Sequence, residues 1–119
     1  MEKQILIAGG GIGGLAAALA CSRAGWSATL LERTREFGEV GAGIQMGPNV
    51  VRRLHAWGLE QELKKVAAFP EMLRVRSADT GEVLGRLPLG ERALKRYGAP
   101  YATIHRADLH TLLLKAVEQ

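Results

Sequence analysis

The chain has 119 residues, of which 47% are hydrophobic and 24% charged, values typical of one compact globular domain. Its formal net charge is +4, but basic and acidic residues are interspersed and aromatic residues make up only 5%. A nucleic-acid surface needs clustered basic residues with exposed aromatics, so nucleic acid is not expected as a partner. The single cysteine, Cys21, excludes an internal disulfide, and a reducing cytoplasm is the expected location.

The first part of the chain follows the pattern of a βαβ unit. Residues 4–8 form a short apolar run typical of a buried parallel strand, residues 12–24 predict a helix, and residues 27–32 predict a second strand. The uncharged stretch 5–22 also resembles a signal peptide or a short membrane span. Five of the six residues from 9 to 14 are glycine, however, which disfavours a helix there, so no membrane span is expected.

The segment Gly9-Gly10-Gly11-Ile12-Gly13-Gly14 satisfies the G-x-G-x-x-G pattern between the first strand and the helix. Gly9 permits a tight turn, Gly11 lets a pyrophosphate approach the backbone, and Gly14 lets the helix pack closely on the strand. The helix N-terminus offers unpaired N–H groups and a partial positive charge to the phosphates. The pattern therefore predicts a dinucleotide-binding loop.

Glu32 ends the second predicted strand, 23 residues after Gly9. An acid at this spacing accepts hydrogen bonds from both hydroxyls of an adenosine ribose and repels a 2′-phosphate. NADP is therefore not expected in this site, whereas FAD and NAD both remain open on these residues alone.

The remaining segments have mixed character. Residues 33–47 are glycine-rich without clear periodicity, as in a functional loop; two short helices follow, over 48–57 and 59–67. Strands over 72–77 and 83–87 predict a hairpin that lies outside the βαβ pattern and begins an antiparallel region. We expect a charged connection over 90–100, a strand over 101–105 and an amphipathic helix from Arg106 onwards, with no strand after it to cover its apolar face.

Two further segments resemble a known family. Residues 37–49, Phe-Gly-Glu-Val-Gly-Ala-Gly-Ile-Gln-Met-Gly-Pro-Asn, and residues 104–110, Ile-His-Arg-Ala-Asp-Leu-His, are similar to segments of the single-component flavin aromatic hydroxylases, the group A flavoprotein monooxygenases. Pro88-Leu89-Gly90-Glu91 and Arg96-Tyr97-Gly98 are similar to the branch that acts on 3-hydroxybenzoate, salicylate and 6-hydroxynicotinate. The resemblance covers essentially the whole chain.

The resemblance implies an α/β fold, with a Rossmann-like βαβ FAD-binding domain and the beginning of an antiparallel substrate-domain region. Residues 1–119 would be the N-terminal part of that domain, with about 68–100 as a hairpin excursion toward the substrate domain. The Asp-Gly and Gly-Asp motifs found later in this family do not occur here, so we expect a piece of a longer enzyme. That enzyme would use bound FAD, NADH or NADPH and O2 to hydroxylate a small aromatic acid.

The candidate cofactor-binding residues combine the glycine pattern with positions carried over from the family, in which the loop matching 41–45 runs along the flavin and the arginine matching Arg106 points toward FAD. They are Gly9, Gly11, Ile12, Gly13, Gly14, Glu32, Arg33, Gly43, Gln45 and Arg106. Hydroxynicotinate-type relatives carry a histidine, proposed as a base, where this chain has Gln45. A glutamine cannot act as a base, which favours a hydroxybenzoate or salicylate.

No catalytic acid or base and no metal site are expected within these residues. His55, His105 and His110 are interpreted as structural. Two alternatives remain open: another FAD or NAD oxidoreductase with the same first motif, and a non-catalytic nucleotide-binding module. A homo-oligomer is compatible with either.

Overall fold

The structure is a computed structural model that describes residues 1–36 and 41–119. It divides into two compact units, one formed by residues 1–42 and 105–119 and the other by residues 43–104. In chain order the elements are β1 (Gln4–Ala8), α1 (Ile12–Arg23), β2 (Ser27–Leu31), β3 (Gly43–Met46), α2 (Pro48–Ala56), α3 (Glu60–Val66), β4 (Met72–Arg76), β5 (Val83–Pro88), α4 (Gly90–Tyr97), β6 (Ala102–His105) and α5 (Arg106–Val117).

The first unit contains the predicted βαβ unit. β1 and β2 pair in parallel from Gln4 opposite Ser27 to Ala8 opposite Leu31, so Glu32 follows the last paired residue directly. α1 ends at Arg23, and Gly25 behind it has φ +84°, a left-handed conformation that glycine adopts without steric cost. The predicted strand, helix and strand are thus confirmed, with ends that differ by one residue.

The last helix packs against the first within this unit. One face of α5 and one face of α1 are buried, and these faces carry Leu109, Leu112, Leu113 and Ala116 from α5 and Leu15, Ala18 and Leu19 from α1. No strand follows α5, as expected, and helix α1 from the other end of the chain covers its apolar face. The order of the elements along the chain did not indicate this packing.

The second unit contains two short sheets and three helices among its described residues. β3 pairs with β6, while β4 and β5 form an antiparallel hairpin around a turn that contains Gly81 at φ +73°. Leu63 and Val51 are fully buried and mark the core of this unit. The predicted hairpin is confirmed, with residues opposed from Met72–Pro88 to Arg76–Val83.

Two predictions in the second unit are wrong. The segment expected to be an irregular loop ends in strand β3, which is only four residues long and begins with a glycine, too little for a periodic signal. The expected charged connection is instead helix α4, which buries only Ala93 and exposes its charged residues. Glu91 and Lys95 lie one turn apart on it, 3.6 Å between Oε1 and Nζ, and Gly98 at φ +78° caps its end.

Candidate nucleotide-binding site

The glycine loop leaves β1 by a sharp turn at Gly9, whose φ of +107° lies in a region that glycine alone adopts freely. The Gly9 N–H donates to the carbonyl oxygen of Leu31 at 2.7 Å, which continues the pairing of β1 with β2 by one residue. The turn thus begins at the carboxyl edge of the parallel sheet, where ligands bind in open α/β sheets.

Gly14 is required by packing inside the loop. A Cβ atom added at Gly14 would overlap the carbonyl oxygen of Gly9, a backbone atom that cannot move aside independently. At Gly9, Gly11 and Gly13, by contrast, an added Cβ would meet none of the described residues within 4 Å beyond its chain neighbours and the backbone of its own helix. The loop is therefore tight where the helix meets the strand and open where a ligand could approach.

The N-terminus of α1 is not capped by its own N-cap residue. That residue is Gly11, which has no side chain, and no acidic residue lies in the first turn of the helix, which starts at Ile12. The first N–H groups of a helix have no partner within the helix, and the helix dipole places about half a positive charge at this end. This open N-terminus of a 12-residue helix fits a pyrophosphate.

The Glu32 carboxylate accepts hydrogen bonds from the glycine loop and from Thr34, two residues further along the chain. Its Oε2 accepts the Gly10 N–H at 2.6 Å, and its Oε1 accepts the Thr34 N–H at 3.1 Å and the Thr34 hydroxyl at 3.0 Å. The bond from Gly10 is the main reason that the pKa of Glu32 lies below its ordinary value of 4.5, with the two bonds from Thr34 next. The carboxylate therefore stays ionised at neutral pH.

Gly10 is held from its other side by His110 of α5. The imidazole Nε2 lies 2.7 Å from the Gly10 carbonyl oxygen, and the side chain is 3% exposed. Sequence reasoning took His110 as structural and did not connect it with the loop. The available signal was its position three residues before Leu113, on the apolar face, where a buried polar group needs a hydrogen-bond partner.

Arg106 begins α5 beside the loop at residues 41–42. Its N–H donates to the Ala42 carbonyl at 3.1 Å, and a Cβ at Gly41 would come within 3.0 Å of the Arg106 Cβ. His105 caps the helix, because its Nδ1 accepts the Ala107 N–H at 3.3 Å. Asp108 in the same first turn supplies a negative charge, so the charge of Arg106 is not by itself a sign of a bound anion.

The remaining predicted site residues are Arg33, Gly43 and Gln45. Arg33 follows Glu32 and is exposed. Gly43 and Gln45 lie in the second unit, two residues apart on the exposed face of β3. Residues 37–40, which carry part of the family resemblance, lie outside the described residues. The structure thus gathers the glycine loop, Glu32 and His110 into one site, and places Arg106 in the same unit.

A parallel βαβ unit, a glycine loop at the sheet edge and an acid after the second strand define a dinucleotide-binding protein of the α/β class. A family model described as an FAD binding domain matches residues 2–118, and the chain belongs to this family. The predicted fold, the FAD cofactor and the resemblance to flavin-dependent aromatic hydroxylases are confirmed at this level.

Individual relatives agree with this assignment. The chain is 45% identical over 118 residues to 3-hydroxybenzoate 6-hydroxylase of Polaromonas naphthalenivorans and 40% identical over 116 residues to 6-hydroxynicotinate 3-monooxygenase of Pseudomonas fluorescens. These alignments cover 99% and 98% of this chain. The chain spans about 30% of the length of each of these relatives.

Among solved structures, the chain is similar to Klebsiella pneumoniae HpxO complexed with FAD and uric acid, with a TM-score of 0.80 and 25% identity over 95% of this chain and 28% of that one. It is also similar to a tetrameric form of 2-methyl-3-hydroxypyridine-5-carboxylic acid oxygenase. That match has a TM-score of 0.81 and 25% identity, and it covers 98% of this chain and 29% of the other.

Proposed function

We propose that this chain holds the ADP half of FAD in a flavoprotein monooxygenase that hydroxylates a small aromatic acid with NAD(P)H and O2. The observation that carries the proposal is the N-terminus of α1, which its own N-cap residue does not cap, behind a glycine loop with open space at Gly9, Gly11 and Gly13. Bound FAD would supply the redox chemistry, and the residues of this chain would bind it and fix its position.

The pyrophosphate would lie over the glycine loop and the first turn of α1. Gly9 and Gly11 leave room for its oxygens, and the N–H groups from Ile12, Gly13 and Gly14 offer hydrogen bonds in the direction of the helix dipole. No basic side chain is required for this interaction, because the backbone supplies both the donors and the partial charge.

Glu32 would accept a hydrogen bond from the adenosine ribose. A carboxylate has about four acceptor positions, and Gly10 and Thr34 together occupy three of those on Glu32. The Arg33 N–H also donates to this carboxylate, so a ribose hydroxyl would replace the Arg33 bond or the Thr34 hydroxyl bond. Arg33, exposed next to Glu32, would face the adenosine end.

Gly43, Gln45 and Arg106 would serve the flavin end of the cofactor, as their family counterparts imply. The exposed face of β3 leaves the backbone at Gly43 open to a planar ring, and the Gln45 amide can donate to and accept from a flavin or a substrate. The absence of an ionisable group at Gln45 supports a substrate of the hydroxybenzoate or salicylate class over a hydroxynicotinate.

We assign residues 68–100 to an excursion of the FAD-binding domain toward a substrate domain. Support comes from the hairpin, on which Leu73, Val75 and Leu87 are each at least half exposed. None of the helices within residues 1–36 and 41–119 combines the length and the apolar character of a membrane-spanning segment. The lone Cys21 and the use of NAD(P)H support a cytoplasmic location, and the tetrameric oxygenase among the relatives supports a homo-oligomer.

The test is a purification of the full-length protein followed by a flavin absorption spectrum and a coupled assay. We expect bound FAD, and oxidation of NADH or NADPH that 3-hydroxybenzoate or salicylate stimulates with formation of a hydroxylated product. Comparison of the two nicotinamide cofactors identifies the reductant, and light scattering gives the oligomeric state. FAD retention without stimulation by any aromatic acid would contradict the hydroxylase proposal and indicate another flavin oxidoreductase. Nucleotide binding without turnover would leave a non-catalytic module.

A further inference from the structure

His110 makes a buried hydrogen bond with the backbone of the glycine loop. It is 3% exposed on the apolar face of α5, and its Nε2 lies 2.7 Å from the Gly10 carbonyl oxygen, 100 residues away in sequence. A carbonyl oxygen only accepts hydrogen bonds, so Nε2 must carry the hydrogen and donate it. A buried donor of this kind contributes a directed bond to the loop.

The N–H group of the same glycine is held by a hydrogen bond to Glu32. The Gly10 N–H donates to the Glu32 carboxylate at 2.6 Å, and Glu32 lies 22 residues away at the end of β2. Both backbone polar groups of Gly10 are thus held by side chains from elements that flank α1. Glycine would otherwise reach many backbone conformations, and this loop contains five glycines.

Fixing the Gly10 carbonyl also fixes the amide that follows it. The peptide between Gly10 and Gly11 is planar and trans, so its C=O and its N–H point in opposite directions. A carbonyl held toward α5 directs the Gly11 N–H away from α5. If this peptide rotated, a carbonyl oxygen with its partial negative charge would take the place of that donor, and it would repel a phosphate.

We propose that His110 is a positioning residue for the pyrophosphate of FAD: its Nε2–H holds the Gly10 carbonyl so that the Gly11 N–H is presented to the anion. This inference rests on the proposed placement of the pyrophosphate at the loop. His110 and Glu32 then act together on the loop. His110 orients the peptide that follows Gly10, and Glu32 orients the peptide that precedes it.

The test uses the full-length protein with its flavin removed, and compares His110→Leu, which removes the donor, with His110→Gln, whose side-chain amide retains one. The control is Leu112→Ala, which disturbs the same buried helix face without a hydrogen bond to the loop. Dissociation constants are measured for FAD, for ADP and for adenosine, which lacks a pyrophosphate, alongside the thermal unfolding midpoint of each variant.

We expect His110→Leu to weaken FAD and ADP binding about tenfold, because the Gly11 N–H would lose its hydrogen bond to the charged pyrophosphate. Adenosine binding should change by no more than about twofold. His110→Gln should recover most of the affinity, and Leu112→Ala should lower the unfolding midpoint without changing the preference for ADP over adenosine. Equal losses for ADP and adenosine, or unchanged ADP binding in folded His110→Leu, would overturn the proposal. A wild-type protein that binds neither FAD nor ADP would refute the proposed function instead.

Discussion

The glycine loop of the first unit and the hairpin of the second unit are fixed by different means. In the loop, side chains of Glu32 and His110 hold the backbone of Gly10 on both sides. In the hairpin, β4 and β5 pair with each other, while Leu73, Val75 and Leu87 remain 50%, 56% and 53% exposed. The loop is therefore preorganised by side chains that hold its backbone, whereas the hairpin is held by its own strand pairing and leaves large apolar side chains exposed.

The most severe way to break the loop is Gly14→Ala. The new Cβ would overlap the Gly9 carbonyl oxygen, so either α1 or the turn at Gly9 must move. We expect the full-length protein to lose about 2 kcal/mol or more of its free energy of unfolding and to retain little FAD, as measured by urea denaturation and flavin content.

The matched control is Gly13→Ala, one residue earlier in the same helix. Apart from its chain neighbours and the backbone of its own helix, an added Cβ there meets none of the described atoms within 4 Å, and alanine favours a helix over glycine by up to about 1 kcal/mol. The flavin-free protein should therefore be at least as stable as wild type. Equal destabilisation by both substitutions would show that the loop is not tight at Gly14.

A smaller effect is expected from Glu32→Gln, which weakens one of the two anchors of Gly10. Because the folded protein lowers the pKa of Glu32, its stabilising contribution is present above the ordinary value of 4.5 and is lost as the pH falls through the lowered value. The difference in unfolding midpoint between wild type and Glu32→Gln should thus be largest near neutral pH and shrink in acid.

Glu82→Gln is the control for this series, since it removes one negative charge from the exposed hairpin without touching the loop. FAD binding at neutral pH should weaken about tenfold or more in Glu32→Gln and stay unchanged in Glu82→Gln. If the difference in unfolding midpoint between wild type and Glu32→Gln grew as the pH fell, the stabilising role of the ionised carboxylate would be contradicted.

Sequence reasoning identified the loop and Glu32 because their spacing is local. A strand, a G-x-G-x-x-G segment and an acid 23 residues after Gly9 lie within one βαβ unit, whose geometry is set by neighbouring residues. The contact between His110 and Gly10 spans 100 residues, and no local pattern encodes it. The same limit applies to the packing of α5 on α1, which the order of elements along the chain concealed.

The elements that sequence reasoning missed have weak periodic signals. α4 buries only Ala93, so charged residues dominate its pattern and conceal the helix. β3 has four residues, two of which face solvent, and it follows a glycine-rich segment. The detailed role of Glu32 was also hidden, because Thr34 is an ordinary polar residue until the folded backbone brings its N–H and hydroxyl onto the carboxylate.

The smallest expected effect on the free energy of unfolding comes from truncating an exposed leucine of the second unit. Leu84 is the extra residue of a β-bulge, since Val75 lies opposite Gly85 and Arg76 opposite Val83, and its side chain is 66% exposed. Leu84→Ala should change the free energy of unfolding of the full-length protein by less than about 0.5 kcal/mol.

Leu63→Ala, which truncates a fully buried leucine of the same unit, should cost about 2–5 kcal/mol in the same urea denaturation experiment. The contrast between the loop and the hairpin depends on this difference. If Leu84→Ala approached the cost of Leu63→Ala, the bulged end of the hairpin would be covered in the full-length protein by residues outside this chain. The hairpin would then be an internal element fixed by its cover, and the region left open for a ligand would be confined to the glycine loop.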